Sequence, residues 1–69
     1  MKTSTAVISI QDLNAGAVPA LTQALKAVPG VGKVDFSLER SVAVVEFDTQ
    51  QSKVDDLLRA VLKAGYKVT

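Results

Sequence analysis

Cysteine and histidine are both absent from the chain. No disulfide can brace the fold, and no thiolate or imidazole is available as a nucleophile or ligand. The single methionine is Met1, expected to be mobile or removed, so the interior of the chain lacks every soft or borderline metal ligand. An excess of one charge is missing too: eight basic and seven acidic residues leave a net charge of +1. With both signs spread along the chain, there is no electrostatic footprint for nucleic acid or an anionic membrane. No apolar run approaches the roughly 20 residues that cross a bilayer, so membrane insertion is not expected. Residues 1–10 have no long apolar centre, so no signal peptide is read there and a cytoplasmic location is expected.

What is present is enough apolar material for one core. Hydrophobic residues make up 48% of 69, which fits a single domain over 1–69 of modest stability. From Thr3 to Ile10 the pattern alternates: Ala6, Ile8 and Ile10 face one way, and Thr5, Val7 and Ser9 the other. Period two with β-branched residues predicts a strand. Val18, Leu21, Leu25 and Val28 then recur at spacings of three and four, the stripe of an amphipathic helix. Pro19 belongs in its first turn, which places the start within Asn14–Val18. Pro29-Gly30 ends it.

Alternation returns over Val31–Leu38, with Val34, Phe36 and Leu38 on one face. It continues beyond a short turn with Ala43, Val45 and Phe47 inward, so the two strands read as a hairpin. Ser52 and Asp55 read as a capping box. Val54, Leu57, Leu58, Val61 and Leu62 follow at helical spacing, with Asp55 and Arg59 as a surface pair and Gly65 as the stop. Tyr66–Thr69 reads as a short last strand. The order βαββαβ is the ferredoxin-like split βαβ arrangement: an α+β sandwich with a four-stranded antiparallel sheet and two helices on one face.

With that order in hand, three segments resemble the heavy-metal-associated domain, the family of small copper chaperones and the N-terminal domains of metal-pumping ATPases. They are Ala24–Val31 (ALKAVPGV), Val34–Asp48 (VDFSLERSVAVVEFD) and Asp55–Val68 (DDLLRAVLKAGYKV). Tyr66 after Ala64-Gly65 resembles bacterial members. The resemblance implies a metal loop Met-x-Cys-x-x-Cys after the first strand. Here Ala17 stands at the second Cys position. An ungapped fit places the first at Asn14; a loop one residue shorter keeps Ile8 and Ile10 inward, puts Leu13 in place of the family's buried Met, and sets Ala15 near the first Cys. Neither fit leaves a thiolate, so the expected site is degenerate and no cofactor is expected.

Other chemistry is thinly represented. Asp12 and Asn14 offer two hard-ligand side chains where calcium takes about 6–8 oxygens; turn formation and helix capping explain them better. Gly30-Val31-Gly32 follows a helix and lacks the partner residues of a phosphate loop. Ser37, Ser41 and Ser52 have no histidine to activate them, so no enzyme is expected. Lys33 and Lys67 read as solvated neighbours. Phe36 and Phe47 fall on the core side, which removes the stacking platform that this topology uses to bind RNA.

The leading expectation is a degenerate relative of metal-trafficking domains, acting as a docking or regulatory module. Its contact surface would comprise Asp12, Asn14, Ala15, Gly16 and Ala17, with Lys63 and Tyr66 at the same end by resemblance. The implied partner is a metal-pumping ATPase domain or a similar ferredoxin-like domain. The alternative is transport or sensing of a metal through Asp12 and Asn14 or through ligands from a partner. Val7, Val42 and Val44 cluster on the open sheet face as a candidate dimer face, with a monomer favoured over a homodimer.

Overall fold

The computed structural model describes residues 2–69; Met1, with the expectation attached to it, lies outside them. Strand β1 (Thr3–Ser9) leads through a 3-10 turn, Ala15–Ala17, into helix α1 (Val18–Lys26). Strands β2 (Val31–Ser37) and β3 (Val42–Asp48) form the hairpin, and helix α2 (Val54–Lys63) follows. The sheet order is β1-β3-β2, both pairings antiparallel. The sequence reading of an α+β fold with an antiparallel sheet and two helices therefore holds.

The expected fourth strand does not form. The sheet has three strands, and the C-terminal segment contributes one antiparallel bridge, Ile10 to Val68. Gly65 and Tyr66 are taken up in ending α2, and pairing begins only beyond them. Gln11 N–H donates to the Lys67 carbonyl at 2.7 Å and Thr69 N–H to the Ser9 carbonyl at 3.0 Å.

The core lies between the sheet and the helices. Ala6, Ile8 and Ile10 meet Ala43, Val45 and Phe47 from the sheet side; Leu21, Leu25, Leu57 and Val61 come from the helices. Each buried leucine contributes about 1.5–3 kcal/mol of transfer free energy. Phe47 is buried and Phe36 packs against the core, as their parity requires. Three expected core residues are not there: Leu38, Val54 and Leu62 are exposed. Leu38 falls beyond the end of β2, in the turn that Ser41 closes at φ 58°. Val54 and Leu62 sit on the outer flank of α2, where no fourth strand arrives to cover them.

The start of α2 also differs by one residue. Its N-cap is Lys53, whose N–H donates to the Asp56 carboxylate at 2.9 Å. Ser52 is buried and donates instead to the Pro29 carbonyl. Asp55 and Arg59 form no ion pair; among the described residues the one salt bridge joins Lys33 and Asp35 at 3.5 Å. Lys33 and Lys67 lie at opposite edges of the sheet rather than side by side, because β2 and the C-terminal segment flank the central pair from either side.

Candidate functional site

The loop between β1 and α1 is built from short-range backbone chemistry. Ile10 ends the alternation inside the core, and Asp12 turns the chain with a left-handed φ of 58°. That turn brings Leu13 back inward, buried at 8% exposure. Leu13 thus plugs the core, as the shortened-loop reading expects. Asn14 follows in extended conformation as the N-cap. Its side-chain oxygen accepts from Ala17 N–H at 3.1 Å, and its amide nitrogen donates to the Asp12 carbonyl at 3.1 Å. An asparagine cap contributes about 0.5–2 kcal/mol. Pro19 stands at the start of α1, where its missing N–H costs nothing.

The other wall comes from the end of α2. Gly65 adopts φ +96°. Its N–H donates to the Leu62 carbonyl at 3.0 Å, and Tyr66 N–H to the Val61 carbonyl at 3.3 Å. These paired bonds are a Schellman ending, which places glycine at the left-handed position. The chain then turns back beside Gln11. The result is a small cleft of about 360 Å³ lined by Gln11, Asp12, Asn14, Gly65, Tyr66 and Lys67.

Most of the expected contact residues meet at this end of the molecule. Asp12, Asn14 and Tyr66 line the cleft, and Ala15 and Gly16 are exposed on the adjoining turn. Ala17 is not on display: its side chain is packed in the core. Lys63 lines a different surface, the groove between the helices with Ala24, Ala27, Ala60 and Ala64. Lys67, not Lys63, lines the cleft beside Tyr66. Gln11, Gly65 and Lys67 were not read as cleft residues, because only the antiparallel seating of Val68 against Ile10 brings them to the loop. On the open sheet face, Val7 pairs directly with Val44. Val7 is exposed while Val42 and Val44 are half-buried.

The cleft's chemistry is sparse. It holds one carboxylate, one ammonium, two amides and a phenol. Among the described residues no three of His, Cys, Asp or Glu gather in a way that could hold a metal ion. The lining offers shape and hydrogen bonds, with Asp12 as its one anionic oxygen donor.

The scaffold around this cleft has clear relatives. The profile described as "Heavy-metal-associated domain" matches residues 15–67.

The chain belongs to the heavy-metal-associated domain family.

It is 37% identical over 65 residues to the "Mercuric transport protein periplasmic component" of Shigella flexneri, covering 93% of this chain and 71% of that protein. The crystal structure of oxidized MerP from Ralstonia metallidurans CH34 superposes with a TM-score of 0.87 at 35% identity, covering 99% of this chain and 96% of that one. The Cu(I)-loaded N-terminal domain of a potential copper-translocating P-type ATPase from Bacillus subtilis superposes with a TM-score of 0.87 at 26% identity, covering 99% and 86%. The domain is thus related to metal-trafficking proteins. One expectation is overturned here. The mercuric transport relatives are periplasmic components, so the cytoplasmic location read from residues 1–10 does not stand. A short apolar count at one end was too little to decide a compartment.

Proposed function

We propose that this domain works in the periplasm as a cargo-free member of its family, a docking or regulatory module that keeps the family's shape without its metal. One observation carries the reading: an intact heavy-metal-associated scaffold with no cysteine and no histidine anywhere in the chain. The loop is held instead by Leu13 in the core and by the Asn14 cap. Such a loop spends its polar groups on its own backbone and presents Asp12, Asn14, Ala15 and Gly16 as a fixed surface beside Tyr66. A similar ferredoxin-like domain, such as that of a metal-pumping ATPase or a mercuric transport component, is the partner this surface suits. No reaction is assigned to it, since no nucleophile–base pair lines the cleft.

Two titrations of isotopically labelled protein test the reading. Hg(II), Cu(I), Zn(II) and Ca(II) are each expected to leave the amide signals of residues 12–18 in place. A thiol-bearing heavy-metal-associated domain is expected to shift the signals of Asp12, Asn14, Gly16 and Tyr66. Saturable shifts confined to the loop with one metal would instead establish metal binding through Asp12 and Asn14. Absence of any shift with the partner domain would remove the docking role.

A further inference from the structure

A groove of about 1040 Å³ lies between α1 and α2. Short side chains leave the space open: Ala24 and Ala27 on α1, and Ala60 and Ala64 on α2. The helices pack together and run antiparallel, since the Ser52–Pro29 bond ties the start of α2 to the end of α1.

Charge lies along the groove in two signs. Asp56 belongs to the first turn of α2 and Lys63 to the last, and both line the groove with Ala60 between them. Spacings of four and three put these three on one helix face. Asp56 accepts from Lys53 N–H through Oδ2. Lys63 and Arg59, which also borders the groove, enter no ion pair; among the described residues the one salt bridge joins Lys33 and Asp35. An order of acid first and base last suits the helix macrodipole, but the macrodipole does not decide which face the charges take. Leu62 stands at the rim beside Lys63, 51% exposed.

This pattern is complementary to itself. Asp56 and Lys63 are about two turns apart. A two-fold axis across α2, passing beside Ala60, lays α2 of a second copy antiparallel on the first. Asp56 of each copy then faces Lys63 of the other. The same operation brings Leu62 of each copy to the gap between Asp56 and Ala60 of the other, across from Ala24 and Ala27. An alanine-lined groove admits such a ridge at close approach. Other occupants leave charge unanswered. An acidic helix would meet Asp56 as a like charge, and a basic one would meet Arg59 and Lys63. A neutral apolar ligand would pair with none of them.

We propose that the helix layer is a self-association surface. Two copies pair about a two-fold axis through α2, joined by reciprocal Asp56–Lys63 ion pairs, with Leu62 of each seated in the other's groove. A dozen residues line the groove, against roughly 20–30 a side in a standard interface, so the pair is weak and reversible. The open sheet face takes no part in it, and it does not depend on the role of the loop end.

Sedimentation equilibrium of the whole chain tests this. The apparent mass should climb from monomer toward dimer as concentration rises into the millimolar range, and the accompanying amide shifts should map to α1 and α2. Lys63→Glu should weaken association at least ~10-fold, because two attractions become two repulsions. Asp56→Lys should do the same, with its circular dichroism checked because it also loses the bond to Lys53 N–H. Neither variant should pair with itself, yet an equimolar mixture should form a mixed dimer about as strong as the original, each copy supplying the charge the other lacks. Leu62→Ser should weaken association at least ~3-fold, as loss of a seated apolar anchor does. If Asp56→Lys does not fold, Lys63→Glu and Leu62→Ser decide the matter. A monomer mass at every concentration, undiminished association of Lys63→Glu, a mixture of folded variants that stays monomeric, or shifts centred on Val7, Val42 and Val44 would each overturn the proposal.

Discussion

The Ser52 hydroxyl donates to the Pro29 carbonyl, tying the start of α2 to the end of α1 across 23 residues. Ser52 is the one buried polar side chain among the described residues, at 5% exposure. Its bond satisfies a carbonyl that follows the α1 C-terminus and fixes the two inter-helix connections against each other. Ser52→Ala is expected to cost about 1–2 kcal/mol, the penalty of stranding a part-buried acceptor. Urea unfolding checks this: the midpoint should fall with the slope unchanged.

The glycines of the two helix endings should respond unequally. Gly30 adopts φ +83°, and a Cβ there would stand 2.8 Å from the Gln51 Cβ and 3.2 Å from the Asp48 Cβ. Gly65 adopts φ +96° with nothing within 4 Å of the added atom. Both alanine variants incur the left-handed backbone cost of about 1–2 kcal/mol; Gly30→Ala adds a clash that backbone must move to relieve. Thermal unfolding should rank Gly30→Ala clearly below Gly65→Ala, and equal midpoints would contradict the crowding.

Capping and plugging of the β1–α1 loop are separable. Asn14→Ala should cost about 0.5–2 kcal/mol, and Asn14→Asp should recover most of it, because a carboxylate oxygen can accept from Ala17 N–H. Leu13→Ala should cost about 2–5 kcal/mol as a buried truncation. Denaturant midpoints for the three variants check the order.

Acid should loosen the turn between β3 and α2. Gln50 N–H, then the Gln51 side chain, donate to the Asp48 carboxylate and hold its pKa below the ordinary 3.8. A carboxyl depressed in the folded state contributes stability above its unfolded pKa of about 3.9, and loses it as pH falls through the lower folded value. The unfolding midpoint should therefore decline below about pH 4. Asp48→Asn should flatten that decline, which a urea series at stepped pH will read.

Restoring thiols tests the scaffold itself. The side chain of Asn14, extended at the N-cap, already reaches the Ala17 N–H three residues on. The double variant Asn14→Cys, Ala17→Cys should bind one equivalent of Hg(II) with a thiolate-to-metal absorption band. Ala15→Cys, Ala17→Cys should bind more weakly. A reversed order would favour the shortened-loop alignment over the ungapped one.

Much of this architecture was legible in the residues. Alternation at Ala6, Ile8 and Ile10 set the inward face of β1, since a pleated strand has only two faces. Of the stripe Val18, Leu21, Leu25 and Val28, Leu21 and Leu25 set the α1 core face and Val28 packs against it, while Val18 is only half-buried. What escaped was anything decided by a distant neighbour. Ser52 looked like a cap because serine before an acidic turn usually is; the carbonyl that claims it lies 23 residues away. Val54 and Leu62 looked like core because helical spacing carries no information about where the opposing layer ends. The cleft residues Gln11 and Lys67 were invisible for the same reason, since three terminal residues beside β1 bring them together.

The pairing of β1 with β3 joins Thr3 to Asp48 and Ser9 to Val42, residues far apart along the chain. The β2–β3 hairpin closes over a short turn. Loop-closure entropy then orders the assembly in time: the hairpin and helices can form early, and β1 joins β3 late. Until it does, β3 has an exposed flank with Ala43, Val45 and Phe47 unshielded. Pairing of β1 with β3 is thus the expected slow step of folding, a closure that spans most of the described chain.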